Sequence, residues 1–174
     1  MQMRALEILG ERPRFINPIG IMLELRRIRR DVSAKTDEEL LNASVIKSKN
    51  LLILLQLLCD LTVRALWTQQ IMLVLHCIVR AVRLTLENGN SAPGISAMTS
   101  LGVISMTKLG WTEFAHRLNQ LGFKAISMFN SKKYRGHVLY VGAKYVGSSC
   151  HIPVLHIIHA HLSSASSNRS VCHS

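Results

Sequence analysis

The sequence predicts an all-α protein, built as a solenoid-like array of antiparallel helical hairpins. Three observations carry that expectation. Apolar residues recur at intervals of three and four over most of the chain, which is the period of a helix with one buried face. Hydrophobic residues are 48% of the 174 residues, yet aromatics are only 5%. The apolar mass is therefore aliphatic, with the unbranched and γ-branched side chains that favour helix over sheet. Corners fall near residues 68, 89, 110 and 130. Helix pairs then recur about every 40 residues, longer than the ~34-residue tetratricopeptide unit. The organisation expected is one helical region over 1–147 and a low-complexity, disordered tail over 148–174.

The elements follow in order. Residues 3–9 read as a helix end that Gly10 stops, and Pro13 and Pro18 bracket a loop. A helix is expected over 19–31, with Ile21, Leu25 and Ile28 on one face. The stretch "KTDEELL" reads as a short helix capped by Thr36, with Asp37, Glu38 and Glu39 at the positive end of its dipole. Residues 45–67 predict a helix apolar almost all round, and 69–87 a second one. On the latter, His76, Arg80, Arg83 and Glu87 form a narrow polar stripe, which implies neighbours on most sides.

The stretch "LENGNSAPG" (86–94) fuses a helix stop to a helix start. Gly89 stands where the stop needs a left-handed residue. Asn90 or Ser91 supplies an N-cap oxygen, and Pro93 falls in the first turn, where a missing N–H costs little. This is a tight corner. A phosphate-binding loop would need GxxxxGK[ST], a string the chain does not contain.

The helix over 94–109 is rich in small residues, among them Ser96, Ala97, Ser100, Gly102 and Ser105. Gly102 costs about 1 kcal/mol of helix propensity, so a packing reason is expected there. Gly110 ends this helix. The next, 111–129, is strongly amphipathic: Trp111, Phe114, Ala115, Leu118, Leu121, Gly122, Ala125 and Phe129 share a stripe, opposite Glu113, His116, Arg117, Gln120 and Lys124. A last helix is expected over 131–147.

Charge and cysteine usage narrow the function classes. The net charge is +11, and no acidic residue follows Glu113. The densest basic cluster is "LRRIRRD", whose Arg26, Arg27, Arg29 and Arg30 are candidates for docking an acidic partner or phosphates. No aromatic residues interleave with them as a base-stacking groove requires, so nucleic-acid binding is the alternative reading rather than the leading one. Cys59, Cys77, Cys150 and Cys172 are widely spread and form no CxxC pair, and Cys59 and Cys77 read as small core residues. The amino terminus lacks a signal-peptide apolar region. The apolar windows 51–59 and 71–79 are shorter than the ~18–20 residues of a membrane span. The expectation is a cytoplasmic protein without a membrane span.

Catalytic and metal chemistry find little support in this pattern. Ser/His/Asp catalysis needs a carboxylate to orient the histidine, and none remains after Glu113. Glu38 and Glu39 are adjacent at a helix start and serve the dipole. His76 and His116 read as residues of a polar face, with His116 placed for a local hydrogen bond, three residues after Glu113 and four before Gln120. The tail gathers Cys150, His151, His156, His159, His161, Cys172 and His173 without a CxxC anchor or a nearby acid to orient an imidazole. No cofactor or metal is expected.

Residues 3–146 resemble the helical region downstream of the P-loop ATPase module in very large signalling kinases. The stretches that carry the resemblance are "RALEILG" (4–10), "LELRRIRR" (23–30), "DEELLN" (37–42), "VRLTLENGNS" (82–91), "SLG" (100–102), "KLGWTEFAHRLNQLGFKAI" (108–126) and "YRGHVLYVGAKYV" (134–146). In that family a serine/threonine-kinase-like domain leads. A nucleotide-binding module and the helical array follow, then often a GAF sensor and a histidine kinase core. The resemblance implies a non-catalytic, scaffold-like segment of such a protein, with protein partners or sibling modules. It covers none of the catalytic domains, and it departs from the family where the array gives way to the His/Ser tail. That departure suggests a fragment or a misread frame. A partial array leaves apolar ends, so self-association is expected.

Overall fold

The computed structural model describes residues 17–146, and seven helices occupy most of them. They are α1 (Pro18–Ser33), α2 (Asp37–Leu41), α3 (Lys49–Trp67), α4 (Ile71–Asn88), α5 (Ala92–Leu109), α6 (Thr112–Ile126) and α7 (Lys132–Val146). Among the described residues there is no strand, only an isolated bridge between Val45 and Asn90. The all-α expectation holds. The reading of residues 3–9 and the tail over 148–174 lie outside the described residues.

Local chemistry sets the boundaries. The Asn17 side chain accepts from Ile19 N at 3.0 Å and Pro18 takes the first helical position, so α1 begins at the proline expected in a loop. Its buried face is Ile21, Leu25, Ile28 and Val32. Thr36 and Glu39 close a reciprocal capping box at the start of α2. The Thr36 backbone N–H, donating to Glu39 at 2.6 Å, holds that carboxyl below its ordinary range. The helix expected from residue 45 begins instead at Lys49, because the Ser48 side chain caps Leu51 N. Residues 44–46 are drawn aside to bond Asn90.

The corners near 68, 89, 110 and 130 are all present, by different means. Gly110 takes a left-handed conformation, φ 67°, and closes α5. At the first corner Gln69 adopts φ 55°, although it is not glycine.

The core is continuous from α1 to α7. Helix α5 lies at its middle and packs against α3, α4, α6 and α7. Two further packings reach across the chain: α1 rests on α4, and α2 rests on α6. Leu101, Leu118, Leu55 and Val138 are among its fully buried side chains. Among the described residues one helix, α3, has the length and apolar composition of a membrane span, with a mean hydropathy of 1.5. The apolar window 51–59 is thus part of a longer helix than its own length suggests. Leu54, Leu55, Leu58, Leu61 and Ala65 form its one buried face, while Ile53, Val63, Leu66 and Trp67 stand exposed, so only 22% of the apolar window is buried.

Candidate functional site

The corner at 89–91 is built by three residues with separate tasks. Gly89 has φ 110°, and a Cβ there would overlap Ser44 O. Only glycine meets both demands. Asn90 N donates to Ser44 O at 2.7 Å, and Ile46 N donates to Asn90 O at 3.0 Å. The buried Asn90 carboxamide donates onward to Leu40 O and Leu41 O at 2.8 and 3.2 Å, satisfying carbonyls at the end of α2. Ser91 is the N-cap of α5, its Oγ accepting from Gly94 N at 3.2 Å. Of the two cap candidates in the sequence, the structure uses Ser91, and Asn90 is a clasp to a distant turn.

The small residues permit a close crossing of α5 and α6. A Cβ on Gly102 would lie 2.5 Å from Asn119 Nδ2 and 3.1 Å from Ala115 O, and one on Gly122 would overlap Thr99 Oγ1. Asn119 is fully buried, bonds Ala115 O at 2.8 Å, and its Oδ1 has no partner among the described residues. Its spacing from Ala115, Leu118 and Gly122 could have revealed it, since 115, 118, 119 and 122 share one helical face. Trp111 and Phe114 meet edge to face, with ring centroids 6.1 Å apart.

The four candidate docking arginines do not act alike. Arg27 bonds Glu24 at 2.6 Å, and Arg30 stands 3.8 Å from Asp31. Arg29 lies over the Trp111 ring, 4.8 Å from its centroid, and so joins α1 to the start of α6. Arg26 is exposed, with no ion pair among the described residues. Ile19, Met22, Leu23, Arg26, Arg27 and Arg30 fall at helical spacing on one outward stripe, opposite the buried face of α1. This face passes from apolar to basic along the helix.

Two arginines outside that cluster carry long-range ties. Arg83 bridges Asp31 and Glu87, each at 2.6 Å. Arg117 bonds Asp37 Oδ1 at 2.8 Å and donates to Val32 O and Lys35 O, fastening α6 to the turn between α1 and α2. The polar face opposite the apolar stripe of α6 is thus in part a packing surface. His116 does meet Gln120, at 2.7 Å.

A cleft of about 270 Å³ opens among α3, α4, α5 and α7, and no motif announced it. Ser100 Oγ lies 3.1 Å from His137 Nε2 and 3.0 Å from Ser96 O. Burial lowers the pKa of His137 and favours its neutral form. Lys133 bonds Asp60 at 2.8 Å. The buried Tyr134 hydroxyl has no partner among the described residues. Cys59 donates to Pro93 O at 3.4 Å, and burial pushes its thiol up to about 12. Cys77 is likewise pushed up, to about 11. Both thiols are thereby held protonated at neutral pH; Cys77 is buried in the core and Cys59 is half-buried at the cleft wall. Ser100 and His137 resemble part of a nucleophile–base pair, but the acid lining this cleft, Asp60, is held by Lys133.

The residues of the tail cluster are outside the described part. Comparison with family models, curated proteins and solved structures gives no match for this chain. The class that fold and site define is an all-α helical domain.

Proposed function

We propose that this chain is a non-catalytic, helical-repeat scaffold segment related to signal-transduction kinases, where it links nucleotide-binding and sensor or kinase modules. The observation that carries the reading is the outward stripe of α1, whose exposed Ile19, Met22 and Leu23 lead into Arg26, Arg27 and Arg30. An apolar patch continued by arginines suits an acidic, amphipathic protein surface. The short corners favour antiparallel hairpins, such as α3 with α4 and α5 with α6, joined here through α5, which also packs against α3 and α7. Exposed Trp67, Leu66 and Ile71 at the α3–α4 corner fit a surface that a neighbouring repeat or module covers.

The family link is tested by the transcript. An uninterrupted frame joining this segment to nucleotide-binding and kinase-like modules is the expected result; a transcript that ends at both sides without them overturns the link. The alternative is a basic helical protein that binds nucleic acid, supported by the net charge of +11. It requires duplex or single-stranded binding that weakens steeply with salt. A titration with fluorescent DNA between 50 and 200 mM salt separates the two (roughly the range over which such binding collapses).

A further inference from the structure

We propose that one end of the molecule, formed by the start of α1 and the α3–α4 corner, docks on a membrane surface containing anionic lipids. Trp67 and its apolar neighbours enter the headgroup region, and arginines beside them meet the lipid phosphates.

Placement comes first. Asn17 and Gly20, at the start of α1, line a cleft together with His76 of α4. Asp31, near the end of α1, bonds Arg83, near the end of α4, at 2.6 Å. The two helices therefore run in the same direction and begin at the same end. His76 is five residues into α4, roughly 8 Å along its axis. Helix α3 finishes at that end too, since only the corner separates Trp67 from Ile71. Two exposed apolar groups are thus gathered there: Ile19, Met22 and Leu23 of α1, and Leu66, Trp67 and Ile71 of the corner. Grouped exposure marks an interaction surface, whereas single exposed apolar residues are ordinary.

Charge comes second. From Leu61 to Leu75 the only charged residue is Arg64, exposed about one turn before Trp67. On α1 the apolar start leads into exposed Arg26 and Arg27, and the acid next to them, Glu24, is paired with Arg27 at 2.6 Å. Asp60, further back on α3, is paired with Lys133. An apolar end with a basic border complements anionic lipid: tryptophan and aliphatic side chains favour the headgroup boundary, and guanidinium groups the phosphates.

The shape decides among occupants. Every residue from Leu66 to Ile71 is exposed, and Trp67 is 83% exposed, so the corner projects. A bilayer yields to a projection, while a protein partner must carry a matching hollow. A second copy of the chain would set the arginines of one end against those of the other. This inference goes beyond the scaffold reading and does not rest on it.

Vesicle flotation of the full chain is the test. The chain should float with phosphatidylcholine vesicles containing about 30% phosphatidylserine, and bind phosphatidylcholine alone roughly tenfold more weakly. Trp67→Ser should lower the affinity for the anionic vesicles about tenfold, and Arg64→Gln about fivefold, both with the wild-type melting temperature. Met128→Ser, which removes an exposed apolar side chain at the α6–α7 corner, should change nothing. The proposal is overturned if the chain floats with neither vesicle, if the neutral vesicle binds as well, or if Trp67→Ser or Arg64→Gln floats as the wild type does. It is overturned too if Met128→Ser loses as much as Trp67→Ser, or if Trp67→Ser melts several degrees lower, since the indole then packs inside the chain. Sedimentation of the lipid-free chain covers the remaining occupant: a dimer that Trp67→Ser dissolves would assign this end to a second copy instead.

Discussion

The Asn90 carboxamide donates to Leu40 O at 2.8 Å, across 50 residues of chain. One side chain thereby joins the α4–α5 corner to the end of α2. Gly89 beside it carries Ser44 O where any other residue would carry a Cβ. Corner, loop and short helix are a single fitted unit.

Asn90→Ala should therefore cost about 2–3 kcal/mol, because it strands buried carbonyls of α2. Asn90→Asp should be no better, since a carboxylate cannot donate to Leu40 O. Gly89→Ala should cost more than Asn90→Ala, as it adds a backbone clash to a positive φ. Urea denaturation of the three variants gives the ranking.

The α5–α6 crossing predicts glycine effects of opposite sign. Gly136→Ala, in a helix with open space around it, should stabilise by about 0.5–1 kcal/mol through propensity alone. Gly122→Ala should instead destabilise by about 1–3 kcal/mol, because its Cβ overlaps Thr99 Oγ1. Thr99→Ala should cost less in the Gly122→Ala background than alone, and a double-mutant cycle in thermal unfolding measures that coupling.

Arg117 fastens α6 through Asp37 and two backbone carbonyls. Arg117→Ala should cost about 1–2 kcal/mol, most of it from the stranded carbonyls. Asp37→Asn should cost less than about 1 kcal/mol, since that ion pair is part exposed. Arg117→Lys should not restore stability, because an ammonium lacks the planar fork that reaches several acceptors at once. Chemical denaturation of the series checks the order.

His137 should make stability pH-dependent. Burial lowers its folded-state pKa below the ordinary 6.5. The unfolded chain then binds more protons, and stability falls as pH drops through that ordinary value toward the lowered one. Above it the histidine is neutral in both states and contributes no slope. His137→Gln should flatten the decline in melting temperature between about pH 7 and 5. An unchanged slope would mean that other groups set it.

Much of the fold was legible because its signals are local. Thr36, Ser91 and Gly110 act on N–H or C=O groups within a few residues, so their corners and helix ends follow from the nearby sequence; the cap at Ser48 is equally local, yet the apolar run from Val45 masks it and the helix starts at Lys49. The ties from Asn90 to Leu40 and from Arg117 to Asp37 were not legible. They join residues 50 and 80 positions apart, and side-chain chemistry alone does not say which turn a donor will meet. Gln69 carried no warning of its positive φ, since glutamine has no special preference for it. The cleft was hidden for a similar reason: its polar groups come from separate helices, each an ordinary surface residue on its own. Asn119 was readable from its spacing, though an amide on an apolar face is easily passed over.

The most direct test of this account is residue-resolved amide hydrogen exchange, because one body folded around α5 is what places every site described above. Amides in the middle of α5, near Met98 and Leu101, should exchange most slowly and only through global unfolding, with those of α4 and α6 facing them close behind. If 49–88 and 92–141 instead open as two separate cooperative units, with α5 exchanging as fast as α1, the α5-centred core is wrong.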